Sequence, residues 1–144
     1  MTHTPTNALE LAMTYHKEQK YGDYPYMYHL TDVVNKLGEI HGHSNLELLE
    51  QLSTVAWLHD ILEDTDCEYE TIGHVVGWRL ADAVLALTKR KGEVYEDYIK
   101  KVKADPIALQ VKIADTFCNL NASLIDRNDR RIRKYSHQLY LLVG

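Results

Sequence analysis

One stretch constrains the fold of this chain more than any other. From about Leu46 to Leu62 the sequence reads as a helix, with Leu49, Leu52, Ala56, His59 and Glu63 at the three-and-four spacing of one face. Leu49 and Leu52 mark that face as the buried one. The stripe then runs into His59 and Glu63, while Asp60 and Asp64 sit one position round, again four apart. Polar groups at the inner end of an apolar face are costly unless something satisfies them. The chain must therefore bring other segments, or a bound cation, to these four side chains.

The remaining periodicity is helical too. Helices are expected over about Asn7–Gln19, Tyr28–Gly38, Tyr69–Val76, Trp78–Leu87, Tyr95–Ala104 and Pro106–Leu124. A last helix, capped by Asp129, carries Ile132, Tyr135, Leu139 and Leu142 as its apolar stripe. Pro25 forbids helix through the Lys20–Met27 connection, Gly38 is a good terminator, and Pro106 suits a first helical turn. No hairpin turn between alternating runs competes with this pattern. The expectation is an all-α, single-domain helical bundle spanning residues 1–144, with no repeat or linker to mark a second domain.

Two further segments can meet the central stripe. His29 falls in the first turn of the second expected helix. Asp115 interrupts an apolar run and shares a face with Val111 and Cys118. A buried unpaired carboxylate is costly. His29, His59, Asp60 and Asp115 form a two-nitrogen, two-oxygen set on three helices, suited to Mn²⁺, Fe²⁺ or Zn²⁺. The bland alternatives are a surface His-Asp pair, a His29 bonded to backbone, and an Asp115 paired with Lys112.

Composition limits the remaining possibilities. The chain has 144 residues, 8 histidines and a formal net charge of −5, which argues against a broad electrostatic nucleic-acid binder. Met1–Pro5 shows no basic stretch leading into an apolar one, so no secretory leader is expected. No apolar run suggests a membrane span. Cys67 and Cys118 are read as free thiols of a reducing cytoplasm. His41 and His43 are expected in a surface loop, and His16, His74 and His137 as structural or exposed. The basic run from Arg127 to Lys134 reads mostly as a solvated helix face, the alternatives being a partner surface or a phosphate contact.

Four segments together carry a resemblance. They are Tyr24–His29 (YPYMYH), Ala56–Thr65 (AWLHDILEDT), Leu87–Lys89 (LTK) and Val111–Leu120 (VKIADTFCNL). The chain resembles the HD superfamily of metal-dependent phosphohydrolases from about Ala8 to Leu124. Within it, the chain is similar to the hydrolase domain of RelA/SpoT-type enzymes and to small stand-alone alarmone hydrolases. The resemblance implies His29, His59, Asp60 and Asp115 as ligands, usually for Mn²⁺. It implies Glu63 and Asp64 as the pair handling water and proton transfer, and Asn119 beside the nucleotide ribose. Lys20 and Tyr21 fall at two usually basic positions near the guanine. Lys89 and Lys112 are candidate phosphate partners. Leu30, Thr116 and Cys118 depart from the usual residues.

The implied reaction is hydrolysis of the 3′-pyrophosphate of (p)ppGpp to GDP or GTP and pyrophosphate. The partner is then a small nucleotide, with neither nucleic acid nor membrane. A phosphatase for another nucleotide or NADPH, and a catalytically silent nucleotide-binding module, remain open at this point. No nucleotide synthetase region is expected, and oligomeric state is not legible.

Overall fold

The computed structural model describes residues 4–144, so the first three residues of the stretch read for a leader lie outside it. Among the described residues there are nine helices and one minimal hairpin. In chain order they are α1 (Ala8–Tyr15), β1 (Lys20–Tyr21), β2 (Tyr24–Pro25), α2 (Tyr26–His41), α3 (Leu46–Leu58) and α4 (Ile61–Asp64). There follow α5 (Tyr69–Val76), α6 (Trp78–Ala86), α7 (Tyr95–Lys103), α8 (Pro106–Ile125) and α9 (Asp129–Val143). No helix among the described residues is long and apolar enough to cross a membrane.

The long α8 is the spine. Asp105 caps it by accepting from Ile107 N at 3.0 Å and Ala108 N at 3.2 Å, and Pro106 fills the first turn. The same carboxylate takes both guanidinium nitrogens of Arg79, each at 3.0 Å, tying α6 to the start of α8. Around α8 the main core gathers Leu37 from α2, Leu52, Val55 and Leu58 from α3, Ile61 from α4, Val84 from α6 and Val102 from α7. A smaller cluster of Ala12, Tyr26 and Leu30 closes the floor beneath the hairpin.

The boundaries differ from the sequence reading where local chemistry outweighs periodicity. α1 stops at Tyr15 rather than Gln19, because the chain turns to form the hairpin. The hairpin departs from the all-helical expectation. It pairs Lys20 with Pro25 and Tyr21 with Tyr24, too few residues for an alternation signal. Gly22 at φ +61° supplies the positive φ that its tight turn demands. α2 begins directly after Pro25 and runs through Gly38 to His41. α9 is capped by Asn128, whose side chain accepts from Arg131 N at 3.1 Å, and not by Asp129.

The α3 stripe is also corrected. Leu49 is only half-buried, and the buried face is Leu52, Val55, Ala56 and Leu58. The expected single helix to Leu62 breaks at His59 and Asp60. The Ala56 carbonyl accepts from both the backbone N of His59 at 3.4 Å and its ring Nδ1 at 2.8 Å. Tightening that turn restarts the chain as α4, which carries Glu63 and Asp64 on a separate axis.

The α8–α9 turn is a Schellman motif, with Asn128 N donating to Ser123 O at 3.0 Å and Arg127 N to Leu124 O at 3.2 Å. Its left-handed position holds Arg127 at φ 53°, where glycine is the unstrained residue. Arg127→Gly is expected to raise stability by about 0.5–1 kcal/mol in urea unfolding, the strain relieved outweighing the added chain entropy. Both cysteines are free. Burial pushes the Cys67 thiol up to about 11 and the Cys118 thiol up to about 12. Raised values mean less thiolate at pH 8, so iodoacetamide should label both at least about tenfold more slowly than a free cysteine.

Candidate metal centre

Three of the four expected ligands converge in the interior. His29 from α2, His59 from the end of α3 and Asp115 from α8 are all buried, with ligating atoms within 4.8 Å of one another. Asp115 Oδ1 is the meeting point. It lies 2.8 Å from His29 Nε2 and 3.3 Å from His59 Nε2, and it accepts from Asn119 Nδ2 at 3.2 Å. Its other oxygen takes Lys112 Nζ at 3.3 Å. Asp60 stands beside this trio, with Oδ2 3.0 Å from His59 Nε2. The Tyr26 hydroxyl donates to the same oxygen.

The His59 ring shows what the arrangement suits. Its Nδ1 donates to the Ala56 carbonyl at 2.8 Å, which leaves Nε2 as the inward-facing nitrogen. Nε2 is fully buried and faces two carboxylates at angles that make no hydrogen bond. A neutral ring would point a lone pair at two anions. A histidine held by a backbone carbonyl through one nitrogen and free at the other is the usual posture of a metal ligand. The donor set of two imidazoles and carboxylates therefore fits a divalent cation of borderline character.

The charges agree with that fit. Burial alone disfavours a charged His59, but Asp60 and Asp115 overcome it and hold the ring's pKa well above the ordinary histidine value. Burial would raise Asp115, but His59 and Lys112 instead keep its carboxyl well below the usual range. The pocket is thus built to keep anions ionised and to hold positive charge beside them.

The other expected residues divide into two groups. Asn119 and Tyr21 join the centre: the Tyr21 hydroxyl donates to Asn119 Oδ1 at 2.6 Å, and its ring stacks on His29 at 4.5 Å. Lys112 also joins it, but its ammonium is engaged by Asp115 and lies over the Tyr98 ring. Glu63 Oε1 accepts from the backbone N of Lys89 at 2.5 Å. Burial raises the Glu63 pKa, against the opposing effect of that amide. Asp64 Oδ2 accepts from Gln19 Nε2 at 3.0 Å. The side chains of Lys20 and Lys89 are exposed, so Lys89 meets the site through its backbone.

Sequence reasoning misses Gln19 and the Tyr26 contact to Asp60, and names Arg131 only as one member of a basic run. Periodicity assigns Arg131 to a solvated face, yet it faces Tyr21 and lies over the Tyr135 ring. The only signal for it is its spacing of four from Tyr135. A groove of about 660 Å³ between α2 and α8 starts at Tyr21 and His29 and runs past Asp32, Phe117, Asn121 and Ile125.

Fold and site together define a helical domain with a buried His29–His59–Asp115 centre. No protein-family model matches it. Its likeness is to proteins of the RelA/SpoT type. The chain is 31% identical over 157 residues to a guanosine-3′,5′-bis(diphosphate) 3′-pyrophosphohydrolase of Aquifex aeolicus (strain VF5), covering 97% of this chain and 22% of that protein. It is also 31% identical over 135 residues to the GTP pyrophosphokinase rsh of Brucella melitensis biotype 1, covering 85% of this chain and 17% of that protein. The chain thus spans about a fifth of the length of the curated relatives it matches. Among solved structures it shares the fold of a metazoan SpoT ortholog described as hydrolyzing ppGpp, with a TM-score of 0.75 at 21% identity, over 100% of this chain and 89% of that one.

Proposed function

We propose that this chain is an HD-type metal-dependent hydrolase domain that acts on (p)ppGpp in the cytoplasm, with residues 1–144 forming one domain. The observation that carries the reading is the buried His29–His59–Asp115 trio with its unpartnered inward nitrogen. It occurs in a chain that aligns over 97% of its length with a protein named for 3′-pyrophosphate hydrolysis. His29, His59, Asp60 and Asp115 hold the cation. Mn²⁺ is the ion of choice, and the same donors accept Fe²⁺ or Zn²⁺.

A bound divalent ion supplies positive charge that polarises a phosphoryl oxygen and makes water more acidic. The chain's own groups do the rest. Glu63 and Asp64 move the proton, taking it from the attacking water and returning it to the ribose O3′. The water oxygen joins the phosphorus next to the ribose as the P–O3′ bond breaks, giving pyrophosphate and a 3′-hydroxyl. Asn119, fixed between Tyr21 and Asp115, is positioned to meet the sugar. The α2–α8 groove has room for the nucleoside, and Arg131 at its Tyr21 end is a candidate for the nucleotide's negative charge.

One observation favours a second reading. Tyr21 stands where the resembled enzymes usually have a basic residue, and one face of its ring is already occupied by His29. That leaves room for a base other than guanine, and the second reading is a phosphatase for another nucleotide or NADPH. Incubating the Mn²⁺-loaded protein with ppGpp decides between them: GDP and pyrophosphate in equal amounts support the first reading. Phosphate release from other nucleotides with ppGpp untouched overturns it in favour of the second. Nucleotide binding without turnover across several metals overturns both.

A further inference from the structure

His16 is buried at 1% exposure beside the site. Its Nδ1 is 2.7 Å from Gln19 Oε1. Gln19 Nε2 donates to Asp64 Oδ2 at 3.0 Å. An amide oxygen can only accept, so His16 Nδ1 carries the proton and donates. The direction of the whole chain is then fixed: His16 to Gln19, and Gln19 to Asp64. The amide cannot turn over without placing its oxygen against the Asp64 carboxylate and its NH₂ against the ring N–H.

The His16 ring also lies against Tyr26, tilted by 34° with centroids 4.8 Å apart, and Tyr26 donates to Asp60. One buried ring therefore braces two site carboxylates, Asp64 through Gln19 and Asp60 through Tyr26. Asp64 itself is exposed on the four-residue α4, which has no side-chain cap. A carboxylate on so short a helix needs an outside anchor to hold one rotamer, and 45 residues of chain separate it from the one it has.

We propose that Gln19, locked by His16, is a positioning residue that aims Asp64 for proton transfer. The proposal rests on Asp64 acting as a proton carrier in (p)ppGpp hydrolysis. It requires that Gln19 act through Asp64 and through nothing else.

The test is a double-mutant cycle with Gln19→Met, which keeps length and volume but makes neither bond, and Asp64→Ala. In the Mn²⁺-loaded full chain, Gln19→Met should lower kcat for ppGpp about tenfold while KM and Mn²⁺ affinity stay within about twofold. Added to Asp64→Ala, it should cost nothing further. The same fold loss in both backgrounds, or a loss carried by KM, overturns the proposal. A second measurement needs no activity. By NMR, the Gln19 side-chain amide protons should be shifted from the free-glutamine positions in the native chain and return toward them in Asp64→Ala. Free-glutamine positions in the native chain overturn the bridge. A native chain that leaves ppGpp intact overturns the substrate reading, and the amide shifts then decide the bridge alone.

Discussion

In the Asp115→Asn variant, Mn²⁺ affinity is expected to fall by more than about 100-fold, beyond the cost of losing an outer-shell partner, and ppGpp hydrolysis to background. The buried trio meets at this carboxylate. Oδ1 meets His29, His59 and Asn119, while Oδ2 holds Lys112. Asparagine keeps the shape but removes the charge, and its NH₂ must face either a ring nitrogen or an ammonium. The Lys112 side chain is only 15% exposed and loses its counter-ion. Breaking such a buried pair costs on the order of 3 kcal/mol. Calorimetric Mn²⁺ titration and urea unfolding read the two effects separately. Wild-type activity in Asp115→Asn would refute the site.

Mn²⁺ should also stabilise the fold, and chelation should reverse it. Without a cation, the buried inward nitrogen of His59 has no hydrogen-bond partner and faces only the carboxylates of Asp60 and Asp115. An ion that binds only the folded chain adds about 4 kcal/mol when present at about a thousand times its Kd. For a chain of this size that is a rise in Tm of roughly 10–15 °C. A thermal scan with saturating Mn²⁺, repeated after EDTA, measures it. No shift in Tm for the native chain, or an equal shift in Asp115→Asn, would sink the assignment of these residues as ligands.

Much of this molecule is legible in its sequence, for reasons that differ by element. α5 matches its expected bounds because Gly77, at φ +90°, ends one helix and admits the next. α8 is readable from Pro106 and from the long apolar run behind it. His29, His59 and Asp115 can be brought together because each is a polar interruption on an otherwise apolar face. The break after Leu58 is not readable, since it depends on where a histidine ring sends its Nδ1. The hairpin is hidden because four paired residues carry no period. Gln19 and Tyr26 are hidden because their partners lie far along the chain, and spacing within a helix says nothing about contacts of that kind. Lys112, by residue type a phosphate partner, instead balances Asp115, a choice made by depth that residue type alone does not reveal.

The joint between α3 and α4 also sets where the chain tolerates changes of length. A residue deleted between Leu52 and Ala56 rotates the downstream end of α3 by about 100° relative to the core, and swings His59 away from Asp115. A residue added in the turn from Thr65 to Glu68 lies beyond α4 and leaves both carboxylates of the joint where they are. Lineages of such chains should therefore hold the spacing from Leu52 to Asp64 constant and vary freely just after it.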